Sequence, residues 1–141
     1  MNAIICFEYG LPNTFECKEV EDPKPNKGEL LVTIKVCSVN FPVQIFQSFK
    51  PKPPFSPDID FAGIVEAVGE GVFHFKVGDE VVGLNPYGGS AEKVAAPASV
   101  CFSKPKVMNM VNASAFLMAY GTSYHALKDR GLVKTLLLYW S

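Results

Sequence analysis

An asparagine stands at the junction between a predicted strand and a predicted helix. Asn40 follows Leu30–Val39, an alternating run rich in Val and Ile, and it opens Asn40–Ser48, a segment compatible with a short helix. Pro42 is tolerated in the first turn of that helix. A side-chain amide at such a junction either faces a cleft, where it can bind a ligand, or caps the helix. The residues alone favour neither role.

Two carboxylates lie two residues apart in the middle of the chain. Asp58 and Asp60 share one face if their segment is extended. Paired carboxylates are typical of acid/base chemistry, and a structural or pocket-lining role is the alternative. The two histidines stand alone: His74 is expected to be solvated in a turn, and His125 to be packed or exposed on a helix.

Three further side chains are candidates for a pocket. Thr122 lies in Ala113–Leu127, whose helix-compatible apolar spacing is interrupted at Gly121, so one kinked helix or two short helices are expected there. Its hydroxyl can instead bond to a carbonyl one turn earlier. Tyr87 opens a Tyr-Gly-Gly sequence that favours a turn between strands, from which the ring can border a pocket. Phe41 is more typical of a core residue than of a ligand contact.

The elements that must position these residues are mostly strands. Short β-prone segments separated by Gly- and Pro-rich turns predict a mainly β barrel or sandwich, followed by a helical segment. The predicted strands are Ala3–Phe7, Phe15–Val20, Leu30–Val39, Phe61–Val68, Asp79–Leu84 and Ser90–Ala95. An apolar strand is also expected to begin near Leu136.

Composition excludes several classes of function. The chain has 141 residues, 48% hydrophobic and 19% charged, with a net charge of −1 and no dense basic run, which argues against a nucleic-acid partner. No apolar run is long enough to span a membrane. The four cysteines contain no Cys-x-x-Cys pair, and the amino terminus has no signal-peptide pattern. We therefore expect a cytoplasmic protein with reduced thiols.

Five segments together resemble the medium-chain dehydrogenase/reductase superfamily, in its quinone oxidoreductase branch. They occur in the order of that family and at nearly its spacing. The segments are Val39–Pro42, Asp60–Gly69, Phe75–Gly83, Tyr87–Glu92 and Tyr120–Leu127. The resemblance implies a partly open β-barrel similar to the co-chaperonin GroES over residues 1–130, with short helices and a helical segment at its carboxyl end.

The same resemblance implies hydride transfer from NADPH to a quinone or an activated enone. Asn40 matches a family asparagine that points at the nicotinamide, and Thr122 matches a threonine that contacts the nicotinamide from the helical segment. Phe41, Asp60 and Tyr87 are predicted to line the same pocket. The family uses no enzyme carboxylate for hydride transfer, so a structural or pocket-lining role is preferred for Asp60.

Two departures concern zinc and the acceptor pocket. Zinc-dependent relatives carry Cys where Asn40 stands and His where Ile59 stands, so no zinc is expected. A family Asp is replaced by Val43, and a family Pro-Gly pair has become Pro57-Asp58.

The nucleotide site is also expected to be missing. Gly69-Glu70-Gly71 lacks a third glycine, since position 74 is His, and no other Gly-x-Gly-x-x-Gly is present. Residues 131–141 are interpreted as the truncated start of a nucleotide-binding Rossmann domain. The resemblance thus implies a front domain that is inactive alone, and the alternative is a non-catalytic remnant or association domain. The apolar segment Leu136–Ser141 is a candidate contact for a homo-oligomer.

Overall fold

A computed structural model describes residues 1–9, 14–39 and 51–131. Within these ranges the chain forms seven strands, all of them in antiparallel pairs, and a helical segment after the last strand. The strands are β1 Asn2–Cys6, β2 Phe15–Glu19, β3 Glu29–Cys37, β4 Asp60–Val68, β5 Glu80–Leu84, β6 Lys93–Pro97 and β7 Cys101–Ser103. The helix α1 spans Met110–Tyr124 and continues as a π-helix over His125–Arg130.

The strands form two sheets that do not close into a complete barrel. β1 and β2 make a two-stranded ribbon, and the other five strands are ordered β6-β3-β4-β5-β7. The ribbon joins the rest through single bridges from Ala3 to Ala91 and from Cys6 to Phe55. The mainly β fold with a carboxyl-terminal helical segment is therefore confirmed.

The alternation of side chains in β4 and β5 gives the large sheet two buried faces. Phe61 and Val65 on β4 and Val81 on β5 point into the main core. Ala62 and Val82 point to the other face, where Ala113 of α1 packs against them. Small side chains at 62 and 113 let the helix approach the sheet closely, and both are fully buried.

The helix differs from its sequence-based expectation in its start and its continuity. It begins at Met110 rather than Ala113, because the Asn109 side chain accepts a hydrogen bond from the Asn112 amide at 2.8 Å and caps the first turn. It runs unbroken through Gly121, so the alternative of two short helices is wrong. A single glycine weakens a helix by about 1 kcal/mol without ending it.

Two strands also differ from the prediction. The segment Ser90–Ala95 forms a strand only from Lys93, and that strand extends to Pro97. The three-residue strand Cys101–Ser103 is absent from the sequence-based prediction, and it exists because it pairs with β5. The predicted helix Asn40–Ser48 and the predicted strand near Leu136 lie outside the described residues, and the proposed division at residue 130 stays a prediction.

Candidate functional site

The two loops before β4 and after β5 are tied together by backbone hydrogen bonds. Four backbone amides of the loop after β5 donate to carbonyls of the loop before β4. The pairs are Asn85 to Ile59 at 2.7 Å, Gly88 to Ser56 at 2.8 Å, Gly89 to Asp58 at 2.9 Å and Ser90 to Pro57 at 3.0 Å. The contact is close, since a β-carbon at Gly89 would lie 3.0 Å from the Asp58 carbonyl oxygen. The loop that carries Tyr87 is therefore held against the segment that leads to Asp60.

The predicted pocket residues occupy different environments. Asp60 is the first residue of β4 and is fully buried, whereas Tyr87 is half exposed in the loop after β5. Thr122 is exposed on α1, and its hydroxyl lies 3.6 Å from the Met118 sulfur rather than bonding to a carbonyl one turn earlier. Asn40 and Phe41 lie outside the described residues, so their predicted roles are untested.

Asp58 has an unusual backbone and a buried carboxyl group. Its φ of 64° is in the left-handed region, which disfavours side chains other than Gly, Asn and Asp. The regular alternation that would place Asp58 and Asp60 on one face therefore does not hold. Asp58 Oδ2 accepts a hydrogen bond from the Ser90 hydroxyl, whereas buried Oδ1 has no hydrogen-bond partner within the described ranges. Burial raises the pKa of this carboxyl, and the Ser90 hydrogen bond partly opposes that shift.

Cys37, at the end of β3, lies beside this carboxyl pair. Burial raises the pKa of its thiol, the negative charges of Asp58 and Asp60 add to the rise, and a hydrogen bond with the Ser90 hydroxyl opposes it. Two carboxylates near one thiol disfavour the thiolate, because like charges repel at short range. From the sequence, the cysteines within apolar strand patterns are interpreted as small buried hydrophobic residues. Neither Cys37 nor Ser90 is predicted as a functional residue. The only sequence signal for this cluster is the Asp58/Asp60 pair.

An open pocket of about 360 Å³ lies between the β1–β2 ribbon, the second half of β3 and the segment directly before β6. Cys37 and Ser90 lie on its wall, together with Cys17 of β2 and Gly89. The remaining lining residues come from β1, β3 and the segment before β6, and they include the charged residues Lys35 and Glu92.

No group of three or more His, Cys, Asp or Glu side chains with metal-site geometry occurs in the part of the chain that the structure describes. Within the same residues, no helix has the length and apolar character needed to cross a membrane.

Comparison with known proteins identifies the family. Residues 26–106, more than half of the chain, match the alcohol dehydrogenase GroES-like domain. The chain belongs to this family. Its relatives and structural neighbours are quinone oxidoreductases and VAT-1 homologues of the medium-chain dehydrogenase/reductase superfamily, which the resemblance implied.

Three relatives illustrate the match. Quinone oxidoreductase from Sus scrofa is 34% identical over 141 residues, which cover 95% of this chain and 43% of the relative. The crystal structure of human synaptic vesicle membrane protein VAT-1 homolog-like protein superposes with a TM-score of 0.88 at 30% identity, covering 92% of this chain and 43% of that one. The structure of Escherichia coli quinone oxidoreductase complexed with NADPH superposes with a TM-score of 0.86 at 27% identity. The match covers 92% of this chain and 41% of that one.

These matches confirm the GroES-like fold and the superfamily. The chain spans less than half the length of these relatives, 43% for the porcine enzyme. The activities and ligands named for the longer proteins are properties of those proteins.

Proposed function

We propose that this chain forms the acceptor-side domain of an NADPH-dependent reductase of quinones or activated alkenes. The observation that supports it most directly is the 34% identity to a quinone oxidoreductase over 95% of the chain. A neighbour of the same fold is known as a complex with NADPH. When bound, NADPH supplies the hydride, and the protein supplies orientation and electrostatics.

In this proposal, Asn40 orients the nicotinamide carboxamide or the acceptor carbonyl through its side-chain amide. Thr122 contacts the nicotinamide from α1. Its exposure supports this role, because a side chain that touches a cofactor held by another domain must project from its own domain. Asp60, Tyr87 and Phe41 shape the acceptor pocket.

The exposed side of α1 supports contact with further protein. Phe116, Tyr120 and Tyr124 are spaced four residues apart and thus lie along one helix face. They are 40%, 65% and 59% exposed, and the rings of Phe116 and Tyr120 stack with centroids 5.1 Å apart. Exposed aromatic patches of this kind mark interaction surfaces.

On its own, the chain of 141 residues is proposed to be inactive, because it contains no Gly-x-Gly-x-x-Gly to hold a pyrophosphate. A titration of the purified chain with NADPH, followed by fluorescence, tests this with phenanthrenequinone-dependent NADPH oxidation in the same cuvette. We expect neither saturable binding nor turnover. Saturable binding in the micromolar range with turnover would show that a cofactor site forms in another way, for instance across a dimer.

A chimera tests the acceptor-side role separately. This chain replaces the matching 43% of porcine quinone oxidoreductase, and the folded chimera is expected to oxidise NADPH with a quinone. Thr122→Ala in the chimera should lower the rate. Ser123→Ala is the matched control, because the Ser123 hydroxyl donates within the helix to the Ala119 carbonyl at 2.9 Å. A folded chimera without activity would favour the second candidate, a non-catalytic association domain, which the exposed aromatic face of α1 supports.

A further inference from the structure

The side chain of Lys104 is buried at the point where the last strand leads toward the helix. Only 6% of this side chain is exposed. Its ammonium group has three donors, and three acceptors lie within reach. Lys104 Nζ is 2.6 Å from the Met108 carbonyl oxygen, 3.2 Å from the Pro105 carbonyl oxygen and 3.2 Å from Glu80 Oε2. Through Glu80, Lys104 therefore joins β5 to the segment that precedes α1.

The segment 105–109 forms the turn from which α1 starts. Val107, in its middle, is 98% exposed, so burial of that side chain does not hold the turn in place. The Met108 amide donates to the Pro105 carbonyl at 3.0 Å, and Asn109 caps the helix directly afterwards. Because Lys104 bonds to the carbonyls of both Pro105 and Met108, it fixes this turn relative to β5.

The helix α1 contacts the sheet through its first half. Ala113 packs against Ala62 and Val82, with Leu117 beside them. Every residue from 119 to 131 is exposed within the part of the chain that the structure describes. The direction of this exposed half is therefore set at the base of the helix, where Lys104 holds the preceding turn.

The length of the helix amplifies any change of angle at its base. Thr122 lies in the exposed half, about 18 Å along the axis from Met110, because an α-helix rises about 1.5 Å per residue. A tilt of about 5° at the base would move Thr122 by about 1.6 Å over that length. Misplacement of a positioning group by about 1 Å can lower a rate about a hundredfold. A small loss of control at the base would thus be large at Thr122.

We propose that Lys104 is a positioning residue, which fixes the angle at which α1 leaves the sheet and so places Thr122 against the nicotinamide. The part of this inference that concerns Thr122 rests on the proposed function, whereas the part that concerns the helix angle does not. Lys104 acts only through the helix, because its three donors are taken up by Glu80 and two backbone carbonyls.

The helix angle is measured in the full chain by residual dipolar couplings of the backbone amides. Lys104→Met keeps a long side chain and removes the three donors. In this variant we expect the axis of α1 to turn by about 5° or more relative to β3, β4 and β5, whose own couplings should stay as in wild type. Lys106→Met is the matched control, because Lys106 is exposed in the same segment, and it should leave the axis unchanged.

A second variant keeps the test decisive if Lys104→Met does not fold. Glu80→Ala removes the tie between Lys104 and β5 at a side chain that is 53% exposed, so the fold should tolerate it. The axis should turn in the same sense as in Lys104→Met. An unchanged axis in the folded Lys104→Met protein, or in Glu80→Ala when Lys104→Met does not fold, would overturn the proposal.

The effect on Thr122 is measured in the chimera with porcine quinone oxidoreductase. Lys104→Met should lower kcat by about tenfold or more through misplacement of Thr122. The KM for NADPH should change by less than about twofold, because the lost interaction belongs to the transition state. A loss of folded protein would also lower the apparent kcat, and it would multiply with the effect of Thr122→Ala. If Lys104 acts through Thr122, the double variant should be little slower than the slower single variant.

The outcomes separate a failure of this inference from a failure of the proposed function. A folded chimera without activity overturns the proposed function, and the role of Lys104 in placing Thr122 falls with it. An active chimera in which Thr122→Ala has no effect, or in which the two substitutions multiply, overturns the positioning role alone.

Discussion

The ring of Phe61 occupies the space in which Gly83 would carry a side chain. The two residues are directly opposite one another in the β4–β5 pair. A β-carbon at position 83 would lie 2.4 Å from the Phe61 Cζ atom, which is closer than carbon atoms approach. Because Phe61 is fully buried in the main core, its ring has no free space into which to move.

Gly83→Ala is therefore expected to destabilise the chain by about 1–3 kcal/mol, the usual cost of overpacking a core. Urea denaturation measures the change. Gly121→Ala is the matched control, because a β-carbon at position 121 would have no other atom within 4 Å outside its own helix backbone. That control should stabilise the chain by about 0.5–1 kcal/mol through helix propensity. A harmless Gly83→Ala would contradict the packing described for Phe61.

Lys93 joins two carboxylates at the outer edge of the sheet. Its Nζ lies 2.7 Å from Asp22 Oδ2 and 2.8 Å from Glu66 Oε1. Lys93→Met should lower the free energy of unfolding slightly, and by less in high salt, because partly exposed ion pairs are weak and screened. Lys27→Met is the control, since Lys27 and its partner Glu70 are 75% and 79% exposed, and should change stability little.

The destabilisation caused by Lys93→Met should depend on pH, because the partners of Lys93 are carboxyl groups. Hydrogen bonding to Lys93 holds the pKa values of Asp22 and Glu66 below their ordinary range. A carboxyl group whose pKa is lower in the folded state stabilises the fold at any pH above its unfolded-state pKa. That stabilisation is lost as the pH falls through the folded-state pKa. The stability difference between wild type and Lys93→Met should therefore shrink in acid. A difference that stays constant from neutral to acid pH would contradict the ion pairs.

Asp58→Asn is expected to increase stability at neutral pH, and the gain should vanish in acid. Burial raises the pKa of the Asp58 carboxyl, so the folded state holds its proton to higher pH than the unfolded state does. Stability then falls as pH rises from the unfolded-state pKa through the raised folded-state pKa. Urea denaturation of both proteins at neutral and acidic pH measures this. Equal stability at neutral pH would show that the carboxylate is adequately solvated.

The thiols should differ in their reaction with Ellman's reagent. Cys17 is exposed and is expected to react in the folded protein. Cys101 is 4% exposed, and burial raises the pKa of its thiol to about 11, so it should react only after unfolding. Cys6 is 3% exposed, and burial also raises its pKa, so it should behave like Cys101. Counting released thiolate with and without denaturant tests this. Reaction of Cys101 in the folded protein would contradict its burial.

Several elements could be predicted because local sequence decides them. The alternation of Val and Ile in Leu30–Val39 predicted β3, and the apolar run Phe61–Val68 predicted β4 to within one residue. Strand preference arises from side chains that suit a pleated, half-buried surface, and these are visible one residue at a time. The ordered motifs from Val39 to Leu127 also carried the family, and the domain match over residues 26–106 confirms it.

Other features depend on contacts between distant segments. Cys101–Ser103 is too short to be recognised alone and is a strand only because β5 lies beside it. The helix α1 packs through Ala113 against β4 and β5 and is continuous across Gly121, where two short helices were one of the expected alternatives.

In the candidate site, too, some features follow from the sequence and others only from the tertiary structure. The sequence by itself determined that carboxylates occur at 58 and 60 and that a GroES-like domain forms around them. Only the tertiary structure decided that Ser90 bonds to Asp58 and that Cys37 lies beside both. The physical reason is that side-chain chemistry and strand preference belong to each residue, whereas burial, charge proximity and a left-handed backbone at Asp58 arise when the two loops close on one another.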